Sequence, residues 1–363
     1  MTQTAKSLNQ LAEEFLSGVS LTQTLSLKFE DYLIGIQSNS HSLIENLRHY
    51  FADFVVEGSA PALLVTAIEM EQPKFDLHFE IKVPDPGKTK IKEEFVNIEG
   101  GRIVRKRLTG MSFLFGGSIN LALGPCRANS NQVINFINNR FISYKLNQGC
   151  LLGHAAAVTA NGRGLALAGF SGMGKSTLAL HLMSRGVKFV SNDRLLVDAE
   201  RKDELKMYGV AKLPRINPGT ALNNPDLVKV LPVDDYKRFS LIEQDELWQV
   251  EHKYDVFIDD CFGPDRFQIK AQMSALVILN WQHNAPETLI KQADLSRRLQ
   301  ILPAFMKTAG LFYLDESNRN EEMERVDFYQ EQLSLCPIYE LSGKIDFSKA
   351  ADLCISLLEE TEL

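Results

Sequence analysis

Residues 169–176 read Gly169-Phe170-Ser171-Gly172-Met173-Gly174-Lys175-Ser176 and satisfy the pattern G-x-x-x-x-G-K-S/T. The run Gly164-Leu165-Ala166-Leu167-Ala168 before it reads as a buried strand, and Ser176-Thr177-Leu178-Ala179 after it opens a helix. That context constrains the fold more than the string does. Glycines let the chain turn so tightly that successive backbone N–H groups point inward and form an anion nest. The following helix adds its unpaired N-terminal N–H groups and the positive end of its dipole. Lys175 is placed to reach terminal phosphates, and Ser176 to put its hydroxyl on Mg²⁺. The phosphate-binding set is therefore Gly169 through Ser176, with Thr177 following. This part of the chain must be α/β, a strand running through a glycine turn into a helix.

At 363 residues the chain is long for a single core, and two domains are expected. A formal net charge of −7 argues against a nucleic-acid partner held by bulk electrostatics. No run of eighteen apolar residues occurs, so no membrane partner is expected. The first residues, Met1-Thr2-Gln3-Thr4-Ala5-Lys6, lack the apolar core of a signal peptide, which points to the cytoplasm. The five cysteines, Cys126, Cys150, Cys261, Cys336 and Cys354, are scattered and show no paired spacing. They read as free, buried thiols rather than disulfides or zinc ligands.

Residues 1–148 read as a small α+β module. Leu8, Leu11, Phe15 and Leu16 fall at helical spacing, and a helix from Ser40 carries Leu43, Leu47, Tyr50 and Phe51. Tyr32–Gln37 and Ala62–Ile68 read as strands. Phe75, Leu77, Phe79, Ile81 and Val83 alternate with polar residues, including His78, which predicts a half-exposed strand. Pro84 to Lys88 marks a loop. Glu93 to Leu108 reads as a hairpin turning at Gly100-Gly101, followed by strands near 111–115 and 119–123 and a helix from Asn129. Residues 149–363 carry the glycine turn. Here Asp259 to Arg266 reads as a turn between strands, Met273–Trp281 as a buried strand, and 297–306 and 347–359 as helices. His181 is expected on the surface. Trp248, Trp281, His252 and His283 suggest no role.

The segment Val187–Ser191 reads as a strand ending in Asn192-Asp193-Arg194. An acidic residue at the end of the strand after such a helix is where a second Mg²⁺ ligand belongs, which selects Asp193 beside Ser176. Asn192 can bond substrate or metal-bound water but cannot act as a base. His154 lies fifteen residues ahead of Gly169, beside an apolar strand. On periodicity alone it reads as a satisfied core residue.

The His154 spacing, the G-F-S-G-M-G-K-S loop and the V-S-N-D-R segment together resemble the catalytic domain of HPr kinase/phosphorylase. That family has a histidine at matching spacing, a G-D-S-G-V-G-K-S loop and an A-D-D-R segment. More distantly they resemble the nucleotide core of ATP-dependent phosphoenolpyruvate carboxykinases. Specific motifs cover about 150–220 and the fold reaches toward 350. The whole chain is most similar to HPr-kinase-related proteins with a different N-terminal module, through Tyr208–Gly219 and the tail Tyr339–Phe347. The resemblance implies an α/β P-loop kinase core of the HPr kinase/PEP carboxykinase type, with a smaller N-terminal α+β domain. It implies that His154 lies against the transferring phosphate and that Asp193 is the metal ligand. Two departures stand out. Asn192 replaces the aspartate credited with base and acid roles, leaving the general base open between Asp193 and His154. The family's E-I-R-G-x-G segment is replaced by Lys206-Met207-Tyr208-Gly209, without its glutamate.

The implied activity is an ATP- and Mg²⁺-dependent phosphotransferase acting on a hydroxyl of a Ser or Thr in a protein or peptide other than HPr. Lys175, His154 and Asp193 would act at the reacting phosphate. Arg215, or Lys212 across Pro214, would steady its charge if that loop returns to the site. HPr kinases form hexamers, so a homo-oligomer is a further implication, although no residue pattern reports subunit contacts. A small-molecule kinase of the same fold and a nucleotide-binding regulatory module without transfer remain the rivals.

Overall fold

A computed structural model of the chain describes residues 6–58, 60–84, 89–199, 204–247, 250–282, 285–315 and 320–359. Trp248, His283 and residues 85–88 of the expected loop lie outside these. The chain divides into two compact units. One comprises Met1–Tyr144 and Ala309–Glu316, the other Lys145–Thr308 and Ser317–Leu363.

The first unit begins with α1 (Leu8–Leu16), β1 (Gln23–Phe29), β2 (Tyr32–Ser38), α2 (His41–Tyr50), β3 (Leu63–Glu69) and β4 (Glu80–Ile81). It continues with β5 (Glu93–Ile98), β6 (Gly101–Lys106), β7 (Ser112–Gly116), β8 (Ile119–Gly124) and α3 (Ser130–Asn147). Its strands make one sheet in the order β1-β2-β3-β8-β7-β6-β5-β4. Ser7 starts α1 by a reciprocal capping box with Gln10, and the Ser40 hydroxyl caps α2 by accepting from Leu43 N–H at 3.3 Å. The helix α1 then lays Leu8, Leu11 and Ala12 on Ile103, Leu114, Leu121 and Leu123 of the sheet. Within this unit Phe312 packs on Phe113, Phe115 and Phe136. Arg140 donates to the Phe312 carbonyl and lies over the Phe115 ring at 4.4 Å. Burial pushes that guanidinium down to about 9.

Three local expectations are corrected here. Between 75 and 83 only Glu80 and Ile81 pair, against β5. Phe75, Leu77 and Phe79 are partly buried on the α1 side of the core while Asp76, His78 and Glu80 are exposed. The alternation thus records burial of an extended segment without a ladder along its length. The hairpin pairs Ile98 with Gly101, so its two turn residues are Glu99 and Gly100. The third lies in the second unit, where Ile258–Phe262 forms a short helix, with Asp259 and Asp260 in its first turn where the helix dipole favours them.

The second unit runs β9 (Leu151–Gly153), β10 (Ala155–Ala160), β11 (Arg163–Ala168), α4 (Lys175–Met183), β12 (Lys188–Ser191), β13 (Leu195–Asp198) and β14 (Lys206–Tyr208). Next come β15 (Arg215–Ile216), α5 (Pro218–Leu222), α6 (Val233–Phe239), α7 (Gln244–Leu247), β16 (Tyr254–Asp255) and α8 (Ile258–Phe262). The remainder is β17 (Lys270–Trp281), β18 (Thr288–Gln292), α9 (Leu295–Arg298), α10 (Val326–Gln332), β19 (Ile338–Gly343) and α11 (Phe347–Glu359). Its main sheet has the order β12-β10-β11-β17-β14-β13-β9, with β19 beside β17 and β18 beyond. The strand β17 is parallel to β11 and to β19, so it delivers Trp281 to the same sheet end as the turn after β11. Ala155, Ala157, Ala166 and Ala168 on β10 and β11 are buried and small. All five cysteines are buried, and no disulfide joins them. Among the described residues no helix is long and apolar enough to cross a membrane.

One close approach fixes how the chain after β14 meets β12. A Cβ built on Gly209 would lie 1.8 Å from the Val190 carbonyl oxygen, a backbone atom that cannot move aside alone. Gly186, at φ +96°, has nothing within 4 Å of such a Cβ. Gly186→Ala should therefore cost about 1 kcal/mol of conformational strain. Gly209→Ala should cost about 3 kcal/mol by overpacking. Urea unfolding of the two variants checks this, and equal losses would contradict the packing assigned to residue 209.

Candidate active site

The turn between β11 and α4 is built as its sequence requires. Gly172 and Gly174 have φ of +84° and +81°, and Gly174 is the residue from which α4 starts. A side chain at Gly174 is doubly excluded, since its Cβ would come 2.5 Å from the Phe347 ring. The turn is fastened from outside as well. The indole N–H of Trp281 donates to the Met173 carbonyl at 2.8 Å, and the Trp281 and Phe347 rings meet edge to face at 5.8 Å. Phe347 also stacks on His181 at 5.7 Å. His181 is therefore half-buried rather than on the surface, and burial lowers its basicity.

Lys175 is 8% exposed, and its ammonium donates to the Gly169 carbonyl at 2.7 Å and to the Phe170 carbonyl at 3.4 Å. Burial pulls its pKa down, and the charge of Asp193 opposes that pull. Phe170 is 54% exposed, Ser171 and Gly172 are exposed, and Ser176 is half-buried. The Thr177 hydroxyl is turned to Thr220 of α5 at 3.2 Å, so only its backbone remains for a phosphate.

His154 and Asp193, 39 positions apart, come together at one place. The His154 backbone N–H donates to the Phe305 carbonyl at 2.6 Å, which fixes the link between β9 and β10. Its Nε2 lies 3.3 Å from Asp193 Oδ1. That hydrogen bond is the main reason the Asp193 carboxyl sits well below the usual carboxylate range. Burial opposes it, while the charges of His154, Arg194 and Lys212 add to it. Beside it, the buried Oδ1 of Asn192 has no hydrogen-bond partner among the described residues. Arg215 lies in the β15–β16 ribbon, half-exposed, with its Nε 3.2 Å from Asp255. Its neighbour Lys212 is the nearer of the two in effect, because its charge acts directly on Asp193.

The structure therefore brings Lys175, Asp193 and His154 into one electrostatic neighbourhood at the sheet end, and leaves Arg215 on its rim. Sequence reasoning missed the two aromatic braces and Lys307, whose charge acts on Lys175. No local pattern marks them. Only the parallel run of β17 with β11 brings Trp281 to the turn.

The donor set fits magnesium with a triphosphate. Ser176 and the ionised Asp193 could supply oxygen ligands, which Mg²⁺ takes in small number while keeping waters. The unpaired Asn192 oxygen is an acceptor suited to one such water. The carboxylate also makes a stability claim. Its folded pKa is depressed below the ordinary 3.8, so its contribution is complete above pH 3.8 and is lost as pH falls below that value. With the side chain 43% exposed, screening holds the contribution to about 1 kcal/mol or less. The advantage of wild type over Asp193→Asn in urea unfolding should be flat from pH 7 to 5 and shrink below pH 3.8. An advantage unchanged at pH 3 would contradict the pairing.

No family model matches the chain. HPr kinase/phosphorylase of Geobacillus kaustophilus and that of Geobacillus thermodenitrificans are each 35% identical to it over 107 residues, 28% of this chain and 34% of theirs. That of Bacillus mycoides is 32% identical over the same length. The chain thus spans about a third of the length of the curated relatives it matches. Among solved structures, the Hpr(Ser) kinase/phosphatase from Coxiella burnetii aligns with a TM-score of 0.29 and 12% identity, over 58% of this chain and 94% of that one. These sequence relatives support an HPr-kinase-like family over the 107 matched residues.

Proposed function

We propose that the chain is a kinase that binds ATP with Mg²⁺ at residues 169–176 and passes the γ-phosphoryl to the hydroxyl of a Ser or Thr in a protein or peptide other than HPr. The observation that carries this reading is the His154–Asp193 pair, 3.3 Å apart, in the electrostatic reach of Lys175. Lys175 and the turn amides hold the phosphates. Ser176 and Asp193 would hold the magnesium, which when bound neutralises charge developing on the phosphoryl oxygens. The acceptor hydroxyl lies beside His154, and its proton passes to the His154–Asp193 pair, because Asn192 cannot take it. Arg215 on the rim steadies the entering anion. Most of the acceleration then comes from positioning and charge stabilisation. A cytoplasmic location and a homo-oligomeric assembly complete the proposal, with neither nucleic acid nor membrane as partner.

Asn192 favours a second reading, a nucleotide-binding regulatory module that does not transfer phosphate. The two separate cleanly. Purified protein is incubated with ATP, Mg²⁺ and cell extract, and phosphopeptides are identified by mass spectrometry. The kinase reading expects phosphorylated Ser or Thr with wild type, and none above background with Lys175→Ala. Asp193→Ala should lower the transfer rate by about 10²- to 10³-fold, the scale of losing a charge-stabilising group. ATP consumption without phosphoprotein would point to a small-molecule acceptor. ATP binding with no turnover, unaffected by Asp193→Ala, would contradict the kinase reading and support the regulatory one.

A further inference from the structure

The strand β9, which leads into His154, is short and is held along both edges. On one edge it pairs antiparallel with β13, Gly153 opposite Leu195 and Leu152 opposite Leu196. Leu195 follows Asp193 by two positions, so this ladder sets how the Asp193 turn lies against the residue before His154. Along the other edge runs the segment 305–307. Met306 bridges to Gly153, and the His154 N–H donates to the Phe305 carbonyl at 2.6 Å.

The fit along this second edge is close. A Cβ built on Gly153 would lie 2.3 Å from the Phe305 ring, so the ring rests on the strand only because residue 153 has no side chain. Phe305 meets the ring of Tyr329 edge to face at 6.2 Å. Tyr329, on α10, is fully buried. Its hydroxyl donates to the Leu152 carbonyl at 2.7 Å and lies 3.4 Å from the Lys307 carbonyl. One phenol therefore joins the strand to the segment that covers its edge, and residues 152, 153 and 154 are tied in succession.

The His154 imidazole meets Asp193 with Nε2 3.3 Å from Oδ1, already at the long end of a hydrogen bond. A small slide of β9 along 305–307 would break that contact, and a displacement near 1 Å is enough to cost a reaction about 10²-fold. Removing the Tyr329 hydroxyl takes a donor from two backbone carbonyls inside the core, which favours such a slide. The phosphate turn is braced separately, by Trp281 on Met173 and Phe347 on Gly174. Loss of the phenol therefore disturbs His154 without disturbing the residues that take the nucleotide.

We propose that Tyr329 is a positioning residue for His154: its hydroxyl locks β9 to residues 305–307 and so sets the imidazole at its distance from Asp193. The consequence for phosphoryl transfer rests on the kinase reading, which gives His154 its place beside the acceptor hydroxyl. The placement itself does not.

The test compares wild type with Tyr329→Phe, which keeps the ring and removes only the hydroxyl, and with Thr159→Val. Thr159 is buried near the far end of β10 and donates to the Arg163 carbonyl at 2.8 Å, so it controls for the loss of one buried hydrogen bond. Nitrogen-labelled histidine gives the His154 imidazole signals by NMR, identified by their loss in His154→Gln. Phosphopeptide formation in cell extract is followed with Mg–ATP varied. Tyr329→Phe should shift or broaden the His154 Nε2 signal and lower the saturating rate about tenfold or more, with the KM for ATP changed less than about twofold. Thr159→Val should leave all three at their wild-type values. If Tyr329→Phe fails to fold, Phe305→Leu, which keeps the carbonyl and removes the ring from between Gly153 and Tyr329, gives the same readout. An unmoved His154 signal, an unchanged rate, or effects equal to those of Thr159→Val would overturn the positioning role and leave the kinase reading intact. A wild type that forms no phosphopeptide would overturn the kinase reading, and a His154 signal unmoved by Tyr329→Phe would then overturn the positioning role as well.

Discussion

The site depends on one buried ammonium. Lys175 cannot be solvated where it sits, so it is held by the carbonyls of Gly169 and Phe170, the first two residues of its own turn. This contact closes the turn on itself. Everything around it preserves that geometry. The strand β11 stops at Ala168, α4 begins at Lys175, and Trp281 and Phe347 brace the carbonyl and the glycine between them. The parallel pairing of β17 with both β11 and β19 puts those braces within reach, because β17 ends at Trp281 and α11 starts soon after β19.

Against this cationic turn the chain sets the well-ionised Asp193 carboxylate. His154 and Asp193 come from separate segments, and each sits on a turn tied down by hydrogen bonds to backbone atoms. For His154 the tether is the bond to Phe305, and for Asp193 it is the Ser191 hydroxyl shared with Arg194 and Val210. Asn192 contributes an acceptor oxygen with no partner among the described residues, which suits a bound hydroxyl or water but not proton abstraction. The chemistry of the site is thus arranged around charge: cations on the turn and its rim, one anion opposite.

What could be read from the sequence is what is contiguous in it. The glycine turn, its strand and its helix are local, and their physics is written in eight successive residues. Strand–turn–strand units such as 111–123 were also legible, because alternation and turn residues lie side by side. The His154–Asp193 meeting was suggested only by the family resemblance, since periodicity alone made His154 a core residue. The remainder depends on what lies across the fold. Phe75, Leu77 and Phe79 alternate as a strand does, yet no partner runs beside them, because alternation reports which side is buried and not whether a ladder forms. Arg140 and Phe312 lie 172 positions apart and no local pattern joins them. Trp281, Lys307 and the Thr177–Thr220 contact are equally long-range.

The account stands or falls on whether the turn, Asp193 and His154 act on one phosphate. Crystals grown with a non-hydrolysable ATP analogue and Mn²⁺ in place of magnesium, measured at the manganese edge, answer this directly. The account predicts an anomalous peak bonded to Ser176 Oγ or the Asp193 carboxylate, with the terminal phosphate cradled by residues 169–176 beside His154. A peak on other residues, or an analogue bound away from Lys175, would contradict it.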